Sequence, residues 1–326
     1  LAVLSSVDTR KTSARRGIWP FRRSREVTST RLLRKSQPFW NHLGRCGTRS
    51  TVLRVPITYP PERLDGHLLS GMCVPDLRGT QGSYTLLRAG EDPRAATGGV
   101  QVPLSSESQG VWTGAVPGPE GEEGPMEAEL RLRSVRGGYR LTVSEATETL
   151  TPGMLGPWMT VVYRLGRSNV RGITRARVTE TPEGPEVYLT ALHVDPSSPA
   201  VPISHPVTYS RYLAGMQGPY ATLGLAEDTW ALSNGATTEK GFLEQAWSIF
   251  EERRAMFIDA LRRTRSGLVV CVFDTSDRIQ HMFWGHGREP GTPIEEMYRR
   301  MDGLIGETAD SMGGNDLLIV MCDHGC

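Results

Sequence analysis

The chain has 326 residues and a net charge of +1, with 37 Lys and Arg against 36 Asp and Glu. This length is enough for one large domain or two smaller ones. The balanced charge gives no reason to expect a nucleic-acid partner or an anionic membrane surface. No apolar run approaches the roughly 20 residues that a membrane span needs. No feature of the composition indicates a particular oligomeric state.

The cysteines indicate a reducing compartment. There are five of them, an odd number, and no two form a Cys-x-x-Cys pair. Cys271 and Cys322 fall in apolar runs, where a free thiol packs as a small hydrophobic group. We therefore expect a cytoplasmic protein, with the reservation that a missing N-terminus would hide a secretory signal.

Residues 1–37 are strongly basic, because Lys and Arg far outnumber Asp8 and Glu26 there. One interpretation is a basic arm that binds phosphate or nucleic acid. We favour a poorly ordered or misread segment, because the apolar periodicity of a first strand is missing.

Residues 38–87 have the pattern of a folded core. Residues 39–43 predict a short helix and residues 51–55 a strand, which precede a loop rich in Gly and polar groups at 70–82. Such a loop is typical of an active-site cover. Asp76 and Arg78 are candidates to contact substrate, and a local ion pair between them is an equally good interpretation.

Residues 88–205 predict a β-rich insertion. Residues 90–125 are dense in Gly, Pro, Glu and Ser, which indicates loop or linker. Apolar and polar residues then alternate on both sides of Gly137 and Gly138, and again on both sides of residues 181–184. These patterns predict two hairpins. The insertion is a candidate cover for an active site.

Residues 206–326 return to a core pattern. After Thr238, apolar residues at helical spacing predict a long helix whose aromatic stripe packs in the core. Two short apolar runs, residues 268–273 and 317–322, predict parallel strands buried on both faces. Between them Thr292, Pro293 and Glu295 are the start signals of a helix, which we expect to end at Gly313 and Gly314. The result is a strand–helix–strand unit with a right-handed crossover.

A polar cluster follows each of these two predicted strands. Asp277 and His281 are four residues apart, so on a helix they face the same way and can reach one divalent cation. Asp323 and His324 follow the second strand, where their diverging side chains suit two metals about 4 Å apart. Either pair alone has an ordinary explanation, such as a chance spacing or a turn. Their combination at the carboxyl ends of neighbouring strands favours a metal site.

The stretches VVCVFDTSDRIQHMFW and LLIVMCDHG resemble the alkaline phosphatase superfamily, in its type I phosphodiesterase/nucleotide pyrophosphatase branch. Looser similarity extends over residues 38–84 and 224–261, so the resemblance covers roughly half of the chain. It implies an α/β fold, an alkaline-phosphatase-like layered sheet with helices on both faces, interrupted by the β-rich insertion. Residues 38–87 and 206–326 would form a partial core.

The resemblance also implies the site and its chemistry. Asp277 and His281 would hold one divalent ion, and Asp323 and His324 would help to hold a second. The two ions would be zinc, with manganese or another divalent metal as an alternative. The implied activity is hydrolysis of a small phosphate ester, preferably a phosphodiester or nucleotide-like substrate; phosphomonoesters, sulfate esters and phosphonates stay open.

Several features of the family are missing from the residues. The family uses an Asp on the first strand, a Thr or Ser nucleophile and a further His after the Asp-His-Gly motif, and no nucleophile is identifiable here. We therefore expect a piece of an enzyme with weak metal binding and negligible turnover. The alternative is a catalytically inactive relative that keeps only the fold. His286, between Gly285 and Gly287, is a further candidate for substrate contact, against the interpretation of an ordinary loop residue.

Overall fold

The computed structural model describes residues 7–16, 23–89, 94–121, 124–165, 168–286 and 290–322. These residues form a mixed α/β structure with more residues in strands than in helices. The helices are α1 (Phe39–Arg45), α2 (Tyr209–Gln217), α3 (Thr229–Ser233), α4 (Glu239–Arg263), α5 (Thr275–Phe283) and α6 (Pro293–Asp310), with a 3-10 turn at Trp284–His286.

The strands within the described residues form four sheets. Their bounds are β1 (Val7–Arg16), β2 (Arg23–Leu32), β3 (Ser50–Leu53), β4 (Gly66–Leu69), β5 (Tyr84–Arg88), β6 (Arg94–Ala96), β7 (Gly99–Pro103), β8 (Ser105–Ser108), β9 (Val111–Gly121), β10 (Gly124–Val135), β11 (Gly138–Val143), β12 (Ala146–Leu150), β13 (Trp158–Leu165), β14 (Ser168–Thr181), β15 (Gly184–Leu189), β16 (His193–Val194), β17 (Ser204–His205) and β18 (Leu268–Cys271).

A four-stranded sheet, here called the core sheet, has the order β17-β4-β3-β18. Strands β3, β4 and β18 are parallel and β17 is antiparallel to β4. Helices pack on both of its faces, because successive side chains of a strand point in opposite directions. Leu53 and Leu69 pack against α2 and α4, and their neighbours Val52 and Leu68 pack against Trp40 of α1.

The β-rich part of the chain consists of two sheets packed face to face. One has the order β12-β11-β10-β9-β8; the other has the order β13-β14-β15-β5-β7-β6, with β16 beside β14. Leu132 and Leu141 of the first sheet and Val161 and Val187 of the second belong to one buried cluster. The two apolar faces therefore cover each other, which is the stable solution for sheets with one wet face.

Both predicted hairpins are confirmed. Strands β10 and β11 pair in antiparallel register on either side of Arg136 and Gly137, and β14 pairs with β15 around Pro182 and Glu183. Strand β5, which precedes the predicted insertion, pairs with β15. The division of the chain at residues 38–87, 88–205 and 206–326 stays a prediction.

The predicted starts of α4 and α6 are confirmed by their caps. The Thr238 hydroxyl accepts a hydrogen bond from the backbone N–H of Gly241, and the Thr292 hydroxyl accepts one from that of Glu295. Each bond satisfies a donor that the first turn of a helix leaves without an intrahelical partner. Helix α6 ends at Asp310, earlier than the glycines at 313 and 314 predicted.

The predicted strand at residues 317–322 is wrong. These residues have no regular secondary structure, and the exposed fractions of Leu317 and Met321 are 82% and 84%. Without this strand the strand–helix–strand unit does not form, and β18 is the last strand of the core sheet on that side. Strand β18 is consequently half-buried instead of buried on both faces. An apolar run indicates a preference for burial but does not provide a neighbouring strand.

The basic N-terminal segment contains the hairpin β1–β2, although its sequence gave no apolar strand pattern. The two strands are antiparallel and pair only with each other among the strands described. The interpretation of residues 1–37 as a poorly ordered or misread segment stays a prediction. Across the described parts of the chain, no helix combines the length and the apolar character that crossing a membrane requires.

We predict that Leu141→Ala lowers the free energy of unfolding by about 2–5 kcal/mol, because it leaves a cavity between the two packed sheets. Arg140→Ala, on the wet face of the same strand, should change that free energy by less than about 0.5 kcal/mol. Urea denaturation of both variants measures the difference. Equal stabilities would contradict the packing of the two sheets through Leu141.

Candidate functional site

The candidate site lies at the carboxyl edge of the core sheet. Leu53, Leu69 and Cys271 are the last residues of three parallel strands, and they are aligned in register. Helix α5 begins at Thr275, soon after β18 ends. Its first turn therefore stands at the edge where open α/β sheets bind their ligands.

Asp277 and His281 are brought together on α5, as their spacing predicted. The His281 Nε2 atom lies 3.1 Å from the Asp277 Oδ1 atom. The imidazole is mostly exposed, and the carboxylate is partly exposed. Two ligand atoms about 2.1 Å from a tetrahedral zinc ion are about 3.4 Å apart, so a small adjustment would let both side chains bind one ion. The two side chains could therefore supply two of the four ligands of a tetrahedral ion.

The partner pair, Asp323 and His324, lies outside the residues that the structure describes. Within the described ranges, no group of three or more His, Cys, Asp or Glu side chains is arranged to hold a metal ion. The four-residue metal set that the sequence suggested therefore stays a prediction. Asp277 and His281 are the two members whose geometry is visible.

A small cavity is lined by Arg278, the neighbour of Asp277 on α5. Arg278 Nη2 lies 3.3 Å from Asp277 Oδ2, and the same guanidinium lines a cavity of about 90 Å³. Glu227 and Asp228, which directly precede α3, also line the cavity. The Arg278 Nε and the Glu227 Oε2 atoms are buried without a hydrogen-bond partner. A cavity of this size and polarity has room for water.

A cluster of buried charges lies behind the cavity. Arg253 of α4 donates a hydrogen bond to the Asp274 carboxylate, and both side chains are almost fully buried. The Thr275 hydroxyl, at the first residue of α5, donates to Glu227 Oε1 at 2.6 Å. The cluster therefore ties the start of α5 to α4 and to the segment that precedes α3.

The charges of this cluster depend on each other. Burial raises the pKa of Glu227, the charge of Asp274 raises it further, and Arg253 offsets part of the rise. Burial alone would lower the pKa of Arg253, but the charges of Asp274 and Glu227 outweigh it and raise the value. The guanidinium is thus held in its charged form because two carboxyl groups surround it.

Arg54 is a second buried arginine and follows β3 at the same edge. Its backbone has φ of +60°, an uncommon conformation for a residue with a side chain. The guanidinium donates to the carbonyl oxygens of Ser70 at 3.0 Å and Thr222 at 3.1 Å, and also to that of Leu223. Burial, and then repulsion by Arg253, lowers its pKa to about 10. Arg54 therefore joins the ends of two core strands to the segment at 222–223.

His193 is fully buried on β16. Its Nδ1 atom accepts hydrogen bonds from the backbone N–H groups of Thr222 at 3.0 Å and Leu223 at 3.2 Å. Burial, and then the charge of Arg54, lowers its pKa to about 3. The ring is therefore neutral, and it anchors the backbone at residues 222–223 by accepting these two hydrogen bonds.

Asp228 links the candidate site to the β-rich part. Its Oδ2 atom accepts a hydrogen bond from the Tyr188 hydroxyl and another from the backbone N–H of Ala191 at 3.3 Å. Burial raises the pKa of Asp228 to about 6, against the opposing effect of these bonds. A buried carboxyl that titrates near neutral pH is typical of functional sites, although structural networks also produce it.

Asp76 and Arg78 lie in a loop whose residues are hydrogen-bonded to one another. Asp76 accepts hydrogen bonds from the Thr80 backbone N–H at 2.7 Å and the Thr80 hydroxyl at 2.6 Å, and Arg78 donates to the Ser83 carbonyl oxygen. Burial raises the pKa of Asp76, and the bonds from Thr80 and the charge of Arg78 offset part of the rise. Both side chains interact electrostatically with Asp228. Their contact with substrate stays a prediction.

His286 ends the 3-10 turn that follows α5. Its Nε2 atom lies 3.2 Å from Glu239 Oε1, and its ring packs edge-on against Phe283 with centroids 5.3 Å apart. These contacts give His286 a local role at the start of α4. Its predicted contact with substrate stays a prediction.

The sequence did not single out Glu227, Asp228, Arg253 or Asp274. One signal was available for the first two, because adjacent Glu and Asp stand in an otherwise apolar stretch, GLAEDTW. Arg253 lies on the long amphipathic helix, where an arginine normally faces solvent. Its burial depends on a partner that is distant in sequence.

Comparison with known proteins identifies no relative. No protein-family model matches the chain, and no curated protein and no solved structure shows significant similarity to it. The resemblance to the alkaline phosphatase superfamily therefore rests on the motifs alone.

We predict that Arg253→Met lowers the free energy of unfolding by about 3–5 kcal/mol, because it leaves Asp274 and Glu227 buried without their cation. Arg254→Met is the matched control on the next residue of α4. Arg254 is half-exposed and pairs with Glu307 at 2.6 Å, so its loss should cost less than about 1 kcal/mol. Thermal and urea unfolding of both variants distinguish the two environments; similar losses would contradict the buried cluster.

We predict that Asp228 makes stability depend on pH. Its folded pKa, about 6, is above the ordinary value of 3.8, so its contribution is complete below about pH 4 and is lost as pH rises through 6. Asp228→Asn removes this titration. The free energy of unfolding of the variant, minus that of the wild type, should rise by up to about 3 kcal/mol between pH 4 and pH 8.

Tyr188→Phe provides the second variant for this experiment. It removes a hydrogen bond that lowers the pKa of Asp228, so the pH window of the stability loss should move upward. Urea unfolding across the pH range measures both effects. A difference between Asp228→Asn and wild type that does not change with pH would contradict the assignment to Asp228.

Proposed function

We propose that the protein is a divalent-metal-dependent hydrolase of phosphate esters. The observation that carries the proposal is the contact between Asp277 and His281, a partly exposed oxygen and nitrogen pair at the carboxyl edge of a parallel sheet. This is the donor chemistry that zinc uses. The motifs in which the pair occurs support a phosphodiester or nucleotide-like substrate, and support Asp323 and His324 as ligands of a second ion.

The described residues have defined tasks in this proposal. Asp277 and His281 hold one ion; when bound, such an ion polarises phosphoryl oxygens and activates a nucleophile. Arg278 lies 3.3 Å from Asp277 Oδ2, the oxygen that does not face His281, and so orients the carboxylate. The bond from Thr275 to Glu227 fixes the first turn of α5, which presents the pair to solvent. An alkaline-phosphatase-like arrangement of the core sheet is part of the proposal.

A non-catalytic protein is the alternative. It is favoured by the lack of a third metal-binding side chain near Asp277 and His281 within the described ranges. In that case α5 would keep its place in the fold through the buried cluster, and the pair would form a solvent-exposed hydrogen bond only. The two proposals differ in metal affinity and in hydrolysis.

A reducing compartment, such as the cytoplasm, also belongs to the proposal. Cys46, Cys73 and Cys271 are free thiols in the part of the chain described. Labelling of the thiols in protein isolated under native conditions tests it.

We predict that Asp277→Asn and His281→Ala each weaken binding of Co²⁺ or Zn²⁺ by about tenfold or more, because each removes one of the visible ligands. Calorimetry and the visible spectrum of bound Co²⁺ measure the affinity. Asp302→Asn, an exposed carboxylate of α6, is the control and should leave it unchanged. Circular dichroism checks that all three variants are folded.

Hydrolysis of bis(p-nitrophenyl) phosphate by the same proteins tests the proposal further. Metal-dependent turnover that falls by about 100-fold or more in both site variants supports the hydrolase and excludes the non-catalytic protein. Metal binding that both variants lose, without turnover in the wild type, supports the metal site and agrees with the negligible turnover expected of this chain. Wild-type metal affinity in both variants contradicts the site.

A further inference from the structure

A cavity lies at the amino edge of the core sheet, opposite the candidate site. It has a volume of about 620 Å³, within the usual range for small-molecule sites. Ser50, Gly66 and Leu268 line it, and they are the first residues of the three parallel strands. The end of α4, the start of α2 and the residues before β18 supply the rest of its wall.

Aromatic rings form a stack along one wall. The rings of His67 and Tyr209 are stacked with centroids 4.7 Å apart, and Tyr209 and Tyr212 are nearly parallel with centroids 6.0 Å apart. Arg263 lies over the Tyr212 ring at 5.0 Å. Burial, and then the charges of Arg49 and His205, lower the pKa of His67, so its ring is mainly uncharged at neutral pH. Such a wall favours a planar ring in the ligand.

The charges around the cavity are mostly positive. Arg49, Arg263 and Arg265 line it, against one carboxylate, that of Asp259. Asp259 is already engaged, because it accepts hydrogen bonds from Arg263 at 2.9 Å and from the Tyr212 hydroxyl at 2.6 Å. Outside the lining, Asp65 lies 3.6 Å from Arg49, a loose and exposed pair. An anion entering the cavity therefore meets guanidinium groups and no free acidic one among the lining residues.

We propose that this cavity is a second ligand site, for a planar heteroaromatic ring that carries a phosphate, the class of a nucleoside monophosphate. The ring packs against the aromatic stack, and the phosphate pairs with Arg263 and Arg265. The site is distinct from the Asp277–His281 pair, because the parallel strands between the two edges are four residues long, about 13 Å. Its existence does not depend on the proposed hydrolase activity.

The test is calorimetric titration of the folded protein, in EDTA, with adenosine 5′-monophosphate, adenosine and inorganic phosphate separately. We expect the monophosphate to bind with a dissociation constant on the order of 10⁻⁴ M, and each fragment to bind at least about tenfold more weakly. Arg265→Gln and Arg263→Gln should each weaken monophosphate binding by about tenfold. Arg262→Gln, an exposed α4 arginine outside the lining, is the matched control and should change it by less than about twofold.

Asp277→Asn separates this site from the other edge of the sheet. Monophosphate binding that persists in Asp277→Asn and is lost in the two arginine variants supports the proposal. Three results overturn it: no binding to the wild type at millimolar concentrations, equal effects of Arg262→Gln and Arg265→Gln, or binding lost in Asp277→Asn and kept in the arginine variants. The thermal unfolding temperature of every variant shows whether a loss of binding is a loss of fold.

Discussion

The buried contact between Arg253 and Asp274 constrains how α4, α5 and the core sheet are placed against one another. A guanidinium and a carboxylate taken out of water each lose several kcal/mol of hydration, which only close pairing and further hydrogen bonds can offset. The residues that offset this loss come from α4, from the residue before α5 and, through Glu227, from the segment before α3. These elements therefore have one relative arrangement in which no charge is left alone. The hydrogen bond from Thr275 to Glu227 extends that constraint to α5 and so to Asp277.

Helix α4 carries a second set of contacts, which holds the β-rich part. Arg177 lies 2.9 Å from Glu244, Arg175 donates to Ser248 at 2.8 Å, and the indole of Trp158 donates to Glu252 at 2.8 Å. One helix thus packs against the core sheet and against the strands that follow residue 157. The β-rich part is fixed to the same helix that positions the start of α5, and with it Asp277 and His281.

Capping and turn signals in the sequence predicted local structure well. The loop or linker predicted at residues 90–125 is wrong, because β6, β7, β8 and β9 lie there, paired with strands that this local composition does not reveal. The caps at Thr238 and Thr292 and the turn at Gly137 lie within a few residues of the elements they define, so their patterns are visible in the sequence. The Asp277–His281 contact was predictable for the same reason. The hydrogen bond from Arg54 to the Leu223 carbonyl oxygen joins residues 169 positions apart, and no pattern in either segment predicts it. The strand predicted at residues 317–322 was wrong for a different reason. Its apolar residues indicate a preference for burial, but they do not indicate which strand would pair with it.

The two edges of the core sheet offer different chemistry because parallel strands place all their starts on one side and all their ends on the other. The carboxyl edge receives the polar residues that follow the strands, among them Asp274 and Asp277. The amino edge receives the C-terminal residues of α4, and with them Arg263 and Arg265. A helix of 25 residues, about 37 Å long, reaches both edges. Coupling between two sites requires an element with two arrangements, and α4 is held in one by the buried pair with Asp274. Ligands at the two edges should therefore bind independently.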